Sequence, residues 1–172
     1  MEYHPRKATE GKAPHMKVDL EAFKKTMGCF ASGVTVVTAR TAEGSPVGLT
    51  VSAFCSLSLE PPLVLICLGH RTVGLDAFRQ GPFVVNVLSE AQREISVRFA
   101  QKRDDRFDTV DHAPGANGAP VIADSLAHIE CDTHAVLPGG DHDIIVGAVT
   151  NTAVVDAAQP LIHFRGTYHA LA

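Results

Sequence analysis

Long apolar runs are absent from this 172-residue chain. The longest, Leu63–Leu68, falls far short of the ~20 apolar residues that a membrane-spanning helix needs. An excess of basic residues is absent too. The formal net charge is −4, which excludes a general nucleic-acid binder, since that function needs a positive field. The four cysteines, Cys29, Cys55, Cys67 and Cys131, form no C-x-x-C pair. Each sits in an apolar or alternating segment, where a free thiol behaves as a small hydrophobe. A reducing, cytoplasmic compartment is therefore expected. Residues 1–16 carry charge, proline and glycine but no apolar core of a signal peptide, so no secretory signal is expected. They are read as a flexible N-terminal arm, leaving 17–172 as a single domain of ordinary size.

The signature motifs of several chemistries are also missing. No G-x-G-x-x-G occurs, so a nicotinamide cofactor would have to bind outside a Rossmann domain. Gly28-Cys-Phe-Ala-Ser-Gly33 has the Walker A glycine spacing but continues Val34-Thr35, without the phosphate-reaching lysine. There is no H-E-x-x-H, and Cys131 and His134 fall on opposite faces of a strand. Asp141-His142-Asp143 offers oxygen and nitrogen ligands, but a turn of that composition is ordinarily just polar, so no metal is expected. No G-x-S-x-G elbow marks a nucleophile. The cluster Lys102-Arg103-Asp104-Asp105-Arg106 mixes signs and reads as a solvated loop, with anion binding by Arg103 or Arg106 as a secondary role.

What is present reads mostly as strands. Asp19 caps a helix whose Leu20, Phe23, Met27 and Phe30 form one stripe. Strands follow at Val34–Ala39, Thr50–Ser58, Leu63–Leu68 and Phe83–Leu88, with a short helical patch at Val73–Phe78. Leu63–Leu68 reads as covered on both faces. Ser89 and Gln92 give a capping signal for a helix with Ala91, Ile95 and Phe99 on one face. Gln101–Gly118 reads as a long loop, and Ala127–Leu137, Ile144–Val155 and Leu161–Tyr168 as further strands. This order has no regular βα alternation, so it predicts a mainly β, antiparallel barrel with a few peripheral helices.

Two features carry chemistry. Read as one strand, Thr50–Ser58 puts Thr50, Ser52, Phe54, Ser56 and Ser58 on one face. That face offers hydroxyls and one aromatic ring without charge, which suits a large, flat, partly polar ligand. A solvent-facing, serine-rich barrel strand is the alternative. His142 follows two glycines in a turn, which exposes it to solvent or to a cleft.

These pieces occur together in a recognisable order. A-S-G-V-T-V-V-T (31–38), G-L-T-V-S-A-F-C-S-L-S-L-E-P-P-L (48–63), F-V-V-N-V-L (83–88), G-D-H-D-I-I-V-G-A-V (140–149) and P-L-I-H-F-R-G-T-Y (160–168) resemble the short-chain flavin reductases of two-component monooxygenases. The resemblance covers roughly residues 20–171 and implies an FMN-binding split β-barrel of Greek-key-like order, usually a homodimer. It implies NAD(P)H:flavin oxidoreductase activity on FAD or FMN, with NADH favoured over NADPH and reduced flavin passed to a separate monooxygenase. Carried over by motif, Thr50, Val51, Ser52 and Ala53 would face the isoalloxazine ring, and Ser56 and Ser58 the ribityl–phosphate part. Val34, Thr35 and Asn86 would neighbour the flavin. His142 would sit beside the nicotinamide, and Phe164 and Tyr168 would close the pocket near the dimer contact. Hydride passes directly between two cofactor rings in this chemistry, so no covalent or acid–base residue is expected. A split-barrel flavoprotein keeping FMN as a bound electron carrier is the competing reading, and a haem-binding split barrel a third.

Overall fold

The computed structural model describes residues 18–155 and 159–171; the expected arm at 1–16 lies outside them. Asp19 caps α1 (Leu20–Met27), its side chain accepting from the Ala22 N–H at 2.8 Å. Then come β1 (Ser32–Gly33), β2 (Thr35–Arg40), β3 (Pro46–Val51), β4 (Phe54–Leu59) and β5 (Pro62–Gly69). α2 (Leu75–Gln80) leads into β6 (Phe83–Val87). A 3-10 turn at Glu90–Gln92 precedes α3 (Arg93–Ala100). β7 (His112–Pro114) and β8 (Pro120–Ile122) form a small ribbon. The long strands β9 (Ala127–Gly139) and β10 (His142–Val154) follow, and the hairpin β11 (Ile162–Phe164) and β12 (Thr167–His169) ends the described chain.

Seven strands form one antiparallel sheet in the order β3-β2-β6-β9-β10-β5-β4. The two ends of that order, β3 and β4, are consecutive in the chain and separated only by Ser52 and Ala53. A sheet whose outer strands are joined by two residues must curl until its edges meet, so Ser52–Ala53 is the seam of a barrel. The expected single strand Thr50–Ser58 is therefore two strands belonging to opposite edges. Its parity does not run through the seam, and a register shift between Ser56 and Ser58 breaks it again.

The barrel holds one core, including Val37, Ala39, Ile66, Leu68, Phe83 and Ile145. A second core outside it gathers Val34, Val36, Leu88, Phe99 and Leu161. β2 and β6 lie between the two and are buried on both faces. The run expected to be doubly covered, β5, is not: Val64, Ile66 and Leu68 point inward, while Leu63, Leu65 and Cys67 stay half-exposed. An apolar run of this length does not distinguish the two cases.

Three other expectations need correction. In α3 the buried side chains are Ser96 and Phe99, with Gln92 just ahead of the helix; Ala91 faces solvent. The tighter 3-10 turn changes the phase, which turns Ala91 outward. The 101–118 segment includes the strand β7. Cys29 and Cys55 are exposed rather than packed, whereas Cys131 is buried and its thiol is pushed up to about 12 by burial. Of the expected stripe, Leu20, Phe23 and Met27 lie on α1, Phe30 falls beyond its C-terminal end, and no residue of the helix is buried.

Candidate functional site

Two clefts flank the β3–β4 seam. The first, of ≈ 470 Å³, is lined by Thr50 on β3, by the segment following β5 and by His142 at the start of β10. The second, also ≈ 470 Å³, is more apolar and takes in Ser52 and Ala53 of the seam, Phe54 and Cys55 of β4, and Met27 and Phe30. Strand register brings the two together. The Cys67 N–H donates to the Ala53 carbonyl at 3.0 Å, and Gly69, two residues further along β5, pairs with His142.

The turn before His142 places its ring. Gly140 adopts φ 77°, a left-handed conformation that favours glycine, and reverses the chain between β9 and β10. His142 is half-exposed, and its Nδ1 lies 2.7 Å from the Asp141 carboxylate. That contact with His142 holds the Asp141 carboxyl below the usual aspartate range. The ring also lies beside Gly69, its register partner on β5: a Cβ added there would make ordinary van der Waals contact with His142 Nε2 at 3.4 Å.

Asp143 points the other way. One of its oxygens accepts two N–H groups from Arg79 of α2, at 2.8 and 2.6 Å, and the other lies 3.3 Å from His70 Nε2. The bond from Arg79 holds the Asp143 carboxyl below its usual range against the opposing effect of burial. Asp141 and Asp143 therefore serve different partners, and among the described residues no three His, Cys, Asp or Glu side chains gather around a metal position.

The cation supply of the first cleft was only partly expected, through Arg106. Arg71, Lys102 and Arg106 all line it. The mixed-sign loop sorts itself: Arg103 is taken up by Asp105 and drives that carboxyl down to about 2, while Arg106 donates to the Gln101 carbonyl at 2.9 and 2.6 Å on the cleft wall. Arg98 is also engaged by Asp105. Of the two arginines weighed for anion binding, the structure puts Arg106 on this cleft and commits Arg103 to an ion pair. Arg71 carried only a weak signal, a basic residue just past a strand end.

The remaining expected residues divide sharply. Thr50 is half-buried, and its hydroxyl donates to the Ser96 carbonyl at 2.6 Å. Ser52 and Ala53 are exposed at the seam, Ser56 is exposed on β4 and Ser58 half-buried there. Val34, Thr35, Val51 and Asn86 are not cleft residues. Val34 belongs to the outer core and Val51 to the barrel core. Thr35 is buried and donates to the Val51 carbonyl at 2.6 Å. Asn86 is fully buried, giving its amide to the Val36 carbonyl and Thr38 Oγ1 and accepting from the Ile122 N–H. These side chains hold the barrel that positions the site. Tyr168 shares a hydroxyl contact of 2.8 Å with Ser96 and lies under Arg93, at a third depression beside Leu161. Phe164 is half-buried in the terminal hairpin, while its neighbour His163 lines the second cleft.

A family profile described as flavin reductase like domain matches residues 27–172. The reductase subunit HsaB of a flavin-dependent monooxygenase from Mycobacterium tuberculosis is 40% identical over 88% of this chain and 82% of that protein. A flavin reductase (NADH) from Kitasatospora aureofaciens is 44% identical over 88% of the chain and 81% of its own length. Among solved structures, the Streptomyces globisporus NADH:FAD oxidoreductase in complex with NAD and FAD fragments superposes with a TM-score of 0.85. It is 38% identical and covers 90% of this chain and 93% of that one.

Proposed function

Because the chain belongs to the flavin reductase family, we propose that it reduces flavin with NADH and supplies the reduced flavin to a separate monooxygenase. The observation that carries this reading is the pairing of two clefts at one seam. One presents His142 with Arg71, Lys102 and Arg106; the other presents a mostly apolar wall, without lysine, arginine or carboxylate, beside Ser52 and Ala53. Two ring systems, at least one bearing phosphate, are the ligands such a pair suits. When bound, the flavin takes up at N5 the hydride leaving nicotinamide C4, so the protein's task is placement and charge.

The residues divide that task in a defined way. The seam at Ser52–Ala53 offers exposed hydroxyl and backbone groups against a flat ring, and Ser56 and Ser58 continue along β4. His142, braced by Asp141, orients the nicotinamide. The cations of the first cleft answer the phosphates. Retention of FMN as a permanently bound carrier is disfavoured, since relatives named as flavin reductase (NADH) and monooxygenase reductase subunit consume NADH or serve an oxygenase. No helix among the described residues is long and apolar enough to cross a membrane. The four free cysteines favour a reducing cytoplasmic setting.

We infer a homodimer as well. Leu20, Phe23 and Met27 of α1 and Phe30 just beyond it are all more than half exposed, and Met27 and Phe30 wall the second cleft. A second copy laid over this face would complete the flavin pocket. The test of function is steady-state NADH oxidation with increasing added flavin, using protein passed through gel filtration. The rate should saturate with free flavin. Flavin that co-purifies stoichiometrically and is not exchanged would overturn the co-substrate role.

A further inference from the structure

His70 stands on the same cleft as His142 but belongs to no part of the ring-placement scheme, and its support is unusually specific. We propose that His70 recognises the phosphate-bearing part of the nicotinamide dinucleotide, and that Asp143, anchored by Arg79, is the residue that positions it. The proposal rests on the reading that NADH enters the His142 cleft.

The geometry is built from three ties. The His70 backbone N–H donates to the Asp141 carbonyl at 3.0 Å, which fastens the segment after β5 to the turn carrying His142. His70 Nε2 lies 3.3 Å from Asp143 Oδ1. Asp143 is 10% exposed at its side chain, and Arg79 occupies its other oxygen from behind. An ionised carboxylate only accepts, so Nε2 must be the protonated nitrogen of His70. That leaves Nδ1 as the ring nitrogen not committed to Asp143.

The His70 side chain is 47% exposed and lines the cleft beside Arg71. Lys102 and Arg106 line the same cleft, and Asp141 is the one carboxylate lining it. With both ring nitrogens carrying hydrogen, the imidazolium donates from Nε2 to Asp143 and from Nδ1 to a phosphate in the cleft, a charge-assisted hydrogen bond. Asp143 contributes by holding the ring, while Arg79 keeps Asp143 ionised and fixed. His142 and His70 thus divide the dinucleotide between them, ring to one and phosphate to the other.

The experiment compares NADH with reduced nicotinamide riboside, which has the same ring and no phosphate, in His70→Ala, Asp143→Asn and the double variant. His70→Ala should raise KM for NADH about tenfold, the size of one charge-assisted contact, with kcat little changed and the KM for the riboside unmoved. Asp143→Asn should raise KM for NADH in the same direction and add nothing once His70 is alanine. An unchanged NADH KM in His70→Ala overturns the proposal, as does an equal rise for NADH and the riboside. Additive effects of the two substitutions overturn the positioning role of Asp143. A parallel arm with FMN and riboflavin separates the phosphate sources: a loss confined to FMN assigns His70 to flavin and contradicts the proposal. His142→Ala is the control for the underlying reading, because it should weaken both nicotinamide substrates whatever His70 does. Since His70 is half-exposed, its alanine variant decides the question even if Asp143→Asn folds poorly.

Discussion

At the scale of single residues, His142 and Asn86 show how similar expectations lead to opposite positions. Both were carried over by motif as neighbours of the cofactors. His142 faces a cleft, whereas Asn86 is fully buried and its amide bridges β2, β6 and β8. His142→Ala should therefore lower kcat/KM for NADH by roughly ten- to a hundredfold, the cost of one orienting contact near a transition state. Flavin affinity, read by titrating the same variant, should change much less; unchanged NADH kinetics would remove His142 from the site. Asn86→Ala should instead cost about 1–3 kcal/mol of stability, because the Ile122 N–H loses its buried acceptor. Denaturant unfolding measures that cost, and NADH turnover per folded molecule should be nearly retained.

At the scale of elements, the most informative segment was legible in composition and misread in shape. The hydroxyl content of 50–58 was plain, but period-2 alternation assumes an unbroken strand. Nothing in T-V-S-A-F-C-S-L-S signals that Ser52–Ala53 joins the two edge strands of one curled sheet. The core strands β2 and β6, the α1 cap, the capping box at Ser89–Gln92 and the turn at Gly140 were readable because each rests on local chemistry. The cationic wall was legible only in part: Lys102 and Arg106 share one loop, but Arg71 comes from a separate segment and joins them only through tertiary packing. Glu130 on β9 was missed for the same reason. This buried carboxylate accepts from the Asn117 N–H and the Asn151 amide, both at 2.8 Å, tying the loop before β8 to β9 and β10.

Glu130 also gives this scale its pH prediction. Burial opposes ionisation of Glu130, but the hydrogen bonds from Asn117 and Asn151 and the nearby His128 outweigh it and lower its pKa from 4.5. A lowered folded pKa means that its stabilising contribution is complete above about 4.5 and is lost as pH falls through the lower folded value. Glu130→Gln should therefore be less stable than the parent chain at neutral pH, with the difference shrinking on acidification below that point. Paired denaturation curves across this range check it; a difference independent of pH would show that the charge is not what stabilises.

At the scale of the whole molecule, the barrel leaves its own seam partly uncovered. Leu20, Phe23, Met27 and Phe30 lie exposed, and Leu57 and Leu59 of the edge strand β4 are exposed as well. Sedimentation should find a dimer, and Phe23→Asp should shift it toward monomer with reduced NADH oxidation. A fully active monomer would contradict the shared pocket. Flavin reduction by NADH is a reaction of two ligand rings with each other, so it requires no nucleophile or metal from the protein.

The central claim is that flavin is a substrate which NADH reduces and the protein releases. An anaerobic reaction with flavin in large excess over protein, and NADH in excess over flavin, tests it most directly through the oxidised-flavin absorbance band. The band should bleach completely, over many turnovers per protein. Bleaching limited to one flavin per protein, or none on adding NADH, would contradict it.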